Sequence, residues 1–176
     1  MSNYLVTGGA GFIGSALAKR LLLNGHNVVT IDNLSTGFLE NIPNKAKFIR
    51  GDCSDISIYN KIPQVKFDAI IHIAGQSSGE VSFDDPVYDI KSNTESTLLL
   101  LKFALQNRCN RFIYASTMSV YGIKPDRPIK ENEFCEPQSF YGVGKLASEH
   151  YMRIFQSHGI NCTSLRLFNV YGPGQN

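Results

Sequence analysis

Two groups of residues in this 176-residue chain have the types and spacing for chemistry. The first is Thr7-Gly8-Gly9-Ala10-Gly11-Phe12-Ile13-Gly14. Gly9, Gly11 and Gly14 fit GxGxxG, and Gly8, Gly11 and Gly14 fit GxxGxxG. Glycine is required where backbone turns sharply and where a side chain would hold a pyrophosphate away. A helix opening there aims unpaired N–H groups and its positive end at the phosphates. An acid follows roughly 20 residues later, as the dinucleotide fingerprint requires. That acid is Asp32, placed to accept hydrogen bonds from the adenosine ribose. Its carboxylate repels a 2′-phosphate, and no basic residue follows in Asn33-Leu34-Ser35-Thr36-Gly37. The implied cofactor is NAD rather than NADP. The second group is Tyr141-Gly142-Val143-Gly144-Lys145. Residues four apart share a helix face, so phenol and ammonium can point at one site. A phenol of pKa ~10 is a poor base at neutral pH. The Lys145 cation and a positive nicotinamide ring are expected to favour the phenolate. A fall of ~3 units corresponds to roughly 4 kcal/mol, and such tuning suits general acid–base catalysis.

The elements that must position these groups alternate in type. Strands are expected at Tyr4–Thr7, Asn27–Ile31, Lys47–Arg50, Ala69–Ile73, Phe112–Ser116 and Asn161–Leu167, and helices at Phe12–Leu23, Asp89–Gln106 and Phe140–Ser157. This alternation predicts an α/β fold: a Rossmann-type doubly wound parallel sheet of order 3-2-1-4-5-6 with helices on both faces. One domain covers 1–176, and Gly122 to Gln138 reads as a long surface loop. Gly142 and Gly144 weaken the last helix intrinsically. His72 lies inside a buried apolar strand and is expected to be a packed, hydrogen-bonded core residue. The formal net charge is +2, without a long basic stretch, which argues against a nucleic-acid or membrane surface. Cys53, Cys109, Cys135 and Cys162 match neither a zinc nor a redox spacing, so no metal is expected. Reduced thiols, no targeting segment and no spanning apolar run point to the cytoplasm.

Taken together, Thr7–Gly14, Asp32–Gly37, Gly51-Asp52, His72–Gln76, Asn93, Ser116–Gly122, Tyr141–Lys145 and Leu165–Gln175 resemble the extended short-chain dehydrogenase/reductases, specifically the NAD-dependent nucleotide-sugar epimerase/dehydratase group. The resemblance implies cofactor contacts from Gly8, Gly11, Phe12, Ile13 and Gly14. It adds Asp32, Asn33, Ser35, Thr36, Gly37, Asp52 and Cys53 on the adenosine side, then Ala74, Gly75, Gln76 and Asn93. Ala115, Tyr141, Lys145 and Phe168 complete the cofactor set. It makes Thr117, Tyr141 and Lys145 catalytic, with Thr117 bonding the sugar C4 oxygen, and assigns Ser116, Thr117 and Asn169 to the substrate. Ser116 stands as the alternative to Thr117. Dehydratases of the group carry Asp-Glu after that threonine; here Met118-Ser119 replaces them, which favours epimerisation. Gly144 departs from the group's usual Ser or Thr. The implied activity is a UDP-hexose 4-epimerase that regenerates its NAD. The alternatives are an NAD-binding fragment without turnover, or a dehydratase or reductase of the same superfamily. A homodimer through the two long helices is implied, and the tail 168–176 is expected to begin a substrate-binding region that the chain lacks.

Overall fold

The computed structural model describes residues 1–175; Asn176, the end of the expected tail loop, lies outside them. Six strands form one sheet: β1 (Asn3–Thr7), β2 (Asn27–Asp32), β3 (Lys47–Arg50), β4 (Ala69–His72), β5 (Arg111–Thr117) and β6 (Asn161–Leu167). Their order is β3-β2-β1-β4-β5-β6, and every pairing is parallel. The central strands read as continuous apolar runs because both sheet faces are covered. Alternate residues then serve opposite cores. Leu5, Ile31, Ile70 and Phe112 face a large cluster with Leu100, Leu101 and Met152. Val6, Val28 and Ile71 face a smaller one with Ala18. The smaller core lies under α1 (Phe12–Leu23); the larger lies under α4 (Ser96–Gln106) and α5 (Phe140–Gln156). β1 and β4 flank the point where the strand order reverses, and ligands of open α/β sheets bind in the crevice there.

The expected strands and helices are present with shifts of one or two residues, save for one break. The helix expected over Asp89–Gln106 is divided. Short α2 (Val81–Asp84) and α3 (Pro86–Asp89) precede a π-helical turn at Ile90–Glu95, and only then does α4 begin. Such wide turns concentrate at functional sites. Residues 39–41, 56–61 and 118–121 form 3₁₀ turns, whereas 122–138 holds no helix or strand. Among the described residues, no helix is long and apolar enough to cross a membrane.

Candidate active site

The glycine loop turns directly off β1. Gly8 adopts φ +73°, and its N–H bonds Ile31 O at 2.8 Å. A Cβ on Gly8 would lie 2.8 Å from Ala74 N, and one on Gly14 only 2.0 Å from Gly8 O. Both positions therefore exclude a side chain. Gly11 caps α1 without any side-chain hydrogen bond, so the N–H groups of the first turn stay available to an anion. This cradle fits a dinucleotide pyrophosphate. Beside it Asp32, 8% exposed, accepts Ala10 N at 2.9 Å and Leu34 N at 2.8 Å, one on each oxygen. A carboxylate oxygen has a second lone pair, which leaves each able to take a ribose hydroxyl. Asn33 donates to Asp52 at 2.8 Å. Burial pushes the Asp52 carboxyl up, but hydrogen bonds from Ser54 and Asn33 outweigh it and hold the group below its ordinary value. Ser35 N bonds Asn33 Oδ1 at 2.9 Å, Thr36 is exposed, and Gly37 packs on Ala10. The Cys53 thiol is buried beside the Thr7 hydroxyl and pushed far up by desolvation, while its carbonyl accepts Tyr59 OH at 2.8 Å.

The floor of the site is a chain of hydroxyls through His72. Thr7 Oγ1 accepts Ile73 N (3.2 Å) and Ala74 N (3.1 Å), so its own proton goes to His72 Nδ1 at 2.7 Å. His72 Nε2 then carries the ring proton and donates to Thr97 Oγ1 at 3.1 Å. Thr97 donates in turn to Asn93 O at 2.5 Å. The tautomer follows from donor and acceptor counts. Full burial, reinforced by the Lys145 charge, lowers the His72 pKa to about 3, so His72 is a neutral structural link, as its strand position suggests. Gln76 is held by Ser92 Oγ at 2.7 Å and folds its amide back onto Ser78. Asn93, in the π-helical turn, donates to Asp89 at 3.1 Å, and its Oδ1 is buried without a partner among the described residues.

Ser139 caps α5 by accepting Gly142 N at 3.1 Å. Gly142 lets the helix start close to the 3₁₀ turn, since a Cβ there would lie 2.9 Å from Ser119 O. Tyr141 and Lys145 then face the end of β5. Lys145 Nζ donates to Ala115 O at 3.0 Å and lies 4.7 Å above the Tyr114 ring and 5.7 Å from the centre of the Tyr141 ring. Burial lowers the Lys145 pKa to about 8, with Asp89 opposing. The expected phenol shift runs the other way here. Burial raises the Tyr141 pKa, Asp89 adds to the rise, and only the facing Thr117 hydroxyl lowers it. Desolvation outweighs the Thr117 hydrogen bond, so ionising the phenol near neutral pH calls for the positive cofactor ring beside Lys145.

Thr117 accepts Ser119 N at 3.1 Å and donates to Ser119 Oγ at 3.2 Å. Ser116 does not join this group: its hydroxyl donates to Glu149 at 2.5 Å, a bond at odds with a substrate role. Phe168 and Asn169 follow β6 and are exposed, while a Cβ added to Gly172 of the same tail would lie 3.5 Å from the Phe12 ring. Asp89 has no place in the sequence reading, yet it is fully buried and acts on both Tyr141 and Lys145. Its signal lies four residues before Asn93, at helical spacing. Gly144 borders this carboxylate: a Cβ there would lie 3.4 Å from Asp89 Oδ2 and 3.2 Å from Thr94 Oγ1.

A parallel 3-2-1-4-5-6 sheet, a glycine cradle at its switch point and a buried Tyr–Lys pair at the end of β5 define a Rossmann-type dinucleotide-binding domain. The chain belongs to the NAD dependent epimerase/dehydratase family, whose model matches residues 4–176, and its cofactor is NAD. A UDP-glucose 4-epimerase of Mycolicibacterium smegmatis is 37% identical over 97% of this chain and 57% of its own length. The Thermus thermophilus UDP-glucose 4-epimerase, solved with NAD, superposes with TM-score 0.95 at 39% identity, covering 99% of this chain and 57% of that one. A UDP-N-acetylglucosamine 4-epimerase of Methanobrevibacter ruminantium gives TM-score 0.92 at 34% identity, covering 99% of this chain and 57% of that one. The chain thus spans a little over half the length of these relatives.

Proposed function

We propose that this chain carries the cofactor site and the acid–base pair of a nucleotide-sugar 4-epimerase acting on a UDP-hexose. The observation that carries this reading is the meeting of Thr117, Tyr141 and Lys145 at the C-terminal end of β5. NAD, when bound, supplies a reversible hydride acceptor and a positive ring. Tyr141 takes the proton of the sugar 4-hydroxyl and returns it after the sugar has turned its other face. Thr117 steadies the C4 oxygen as charge develops on it, and Lys145, held by Ala115 O, favours the ionised phenol. Met118 is half-exposed and Ser119 is folded onto Thr117, so neither supplies the acid of a dehydration. Asn169 and Phe168 are assigned to the substrate side and the cofactor ring.

The test is Tyr141→Phe in the parent enzyme, with the C4 configuration followed by NMR on UDP-glucose and UDP-galactose. Loss of turnover by roughly 10²–10⁴-fold is expected for removal of a general acid–base; near-normal turnover overturns the reading. Because the chain spans about half of its relatives, a second reading is an NAD-binding unit without turnover of its own, separated by assaying chain and parent side by side. We assign the outer faces of α4 and α5 to a second copy. Leu98, Leu99, Leu105, Ile154 and Phe155 line an apolar depression of about 410 Å³ there. We assign the reaction to the cytoplasm, a reading supported by Cys53, Cys109, Cys135 and Cys162 standing as free thiols.

A further inference from the structure

One more turn along the face of α5 that carries Tyr141 and Lys145 brings Glu149, again four residues on. It is 5% exposed, and its carboxylate is a junction of three elements. From β5, Ser116 Oγ donates at 2.5 Å. From β6, Arg166 grips both oxygens, Nε at 3.0 and 3.2 Å and Nη2 at 2.7 Å. Ser116 and Arg166 are register partners in the parallel ladder, so they leave the sheet on one side and converge on Glu149. Arg166 reaches further. Its Nη1 donates to Glu131 O at 3.0 Å, inside the irregular 122–138 segment. Its guanidinium lies 4.8 Å from the ring centre of Tyr121, in the turn after Thr117.

We infer that Glu149 is a positioning residue: with Ser116 and Arg166 it locks α5 onto β5 in the phase that holds Tyr141 against Thr117 and Lys145 against Ala115 O. Through Arg166 the same carboxylate fixes the 122–138 segment and Tyr121 to that alignment. β5, β6, α5, the turn of Tyr121 and the 122–138 segment are therefore referenced to one buried anion. Stability alone is a poor reason for such a junction. Replacing a buried ion pair with apolar groups of similar volume is often neutral or stabilising, whereas its directed bonds define a unique arrangement. The bidentate fork makes this pair directional in a way that an apolar contact is not.

This inference rests on Tyr141 and Lys145 as the reacting pair, but its test does not need turnover. In the full chain, Glu149→Gln keeps the volume and the acceptor for Ser116 while removing the charge. Glu149→Met with Arg166→Met replaces the pair by apolar volume. Two readouts are taken well below each Tm: NAD affinity by calorimetry, and the Tyr141 phenol titration by NMR of labelled tyrosine, assigned with Tyr141→Phe. The groups acting on that phenol are Thr117, Asp89 and Lys145. Both variants are expected to weaken NAD binding by about tenfold, equivalent to ~1.4 kcal/mol. Both are also expected to move the titration down toward that of a free tyrosine, as the phenol loses its buried seat. In the double variant this occurs with Tm near that of the wild type. Ser116→Ala, which keeps the ion pair, moves both readouts the same way by a smaller amount, and it decides the matter should the charge variants fail to fold. Folded variants that bind NAD and titrate Tyr141 like the wild type overturn the inference. If turnover survives Tyr141→Phe, the functional reading fails while these measurements still report on Glu149.

Discussion

The two sides of the sheet's switch point hold their ligand groups by different means. On the β1–α1–β2 side the working groups are backbone N–H groups and the Asp32 carboxylate, held by the N–H groups of Ala10 and Leu34. The constraint there is space: Gly8 and Gly14 stand where no Cβ fits. On the β4–β5–α5 side the working groups are buried side chains. Burial lowers His72 to about 3 and Lys145 to about 8, and raises Tyr141 and Asp89. One side is therefore broken by volume, the other by charge and pH.

Volume gives the largest expected effect. Gly14→Val would press a side chain into Gly8 O, which a Cβ would approach to 2.0 Å. Overpacking against backbone costs roughly 3 kcal/mol or more, so NAD binding and the cooperative melt should both be lost. Gly11→Ala sharpens the point. A Cβ there meets only Gly8 O at 3.4 Å, so Tm should hold while calorimetry shows weaker NAD binding, the methyl standing where the phosphates approach.

His72 tests the charge side. His72→Phe leaves Thr7 and Thr97 short of a partner in the interior, at a cost of roughly 2–4 kcal/mol in denaturant melts. The pH dependence is more specific. The unfolded chain takes up a proton near the ordinary 6.5, while the native chain does not until about 3. The unfolded state binds more protons between those values, so stability falls as pH drops through that window. The wild type should lose stability there relative to His72→Phe, and parallel acid melts of the two would expose any other origin of the slope.

The same contrast explains what could be read from the sequence. Glycine spacing, the acid after the second strand and the apolar runs are local, and they foretold the sheet order and the cradle. The Tyr141–Lys145 pair was legible because helical periodicity is local too. Glu149 lies on that periodicity, but its meaning comes from Arg166 and Ser116, which only the β5–β6 register brings together. Ser116 and Thr117 are adjacent hydroxyls, and their division between core and site depends on which sheet face α5 covers. The π-helical turn has no signature in residue types. It places Asn93 O where the hydroxyls of Thr97 and Ser148 bond it, a tertiary arrangement.

Lys145 provides a second pH test of opposite range. Its ordinary 10.5 falls to about 8 in the fold, so between these values the unfolded chain holds a proton that the native chain has released. Stability contributed by this group therefore rises with pH across the window. Lys145→Met removes the group, and its stability relative to the wild type should decline by on the order of 3 kcal/mol between about pH 8 and 10.5. Using the difference between two proteins cancels the buried thiols and phenols that titrate above this range in both. A margin that stays flat would mean that Lys145 keeps its ordinary ionisation, and that the β5 side does not hold its cation against a desolvation cost.

The smallest effect belongs to the other ion pair of the 122–138 segment. Arg127 and Glu133 meet at 2.6 Å with a second bond at 3.0 Å, a fork as good in geometry as Arg166 on Glu149. Arg127 and the Lys130 N–H hold the Glu133 carboxyl down at about 2. The Arg127 side chain is 49% exposed, however, against 16% for Arg166. Solvent screens such a pair, and ordering two long side chains offsets most of what remains. Arg127→Ala should therefore leave Tm and NAD affinity unchanged, while the Glu133 titration, followed by NMR, moves up toward that of an ordinary glutamate. Arg166→Met, with the same loss of charge at the β6 residue that holds this segment through Glu131 O, should weaken NAD binding. If the two variants behave alike, burial does not distinguish two forks of equal geometry, and the anchoring role of Arg166 fails.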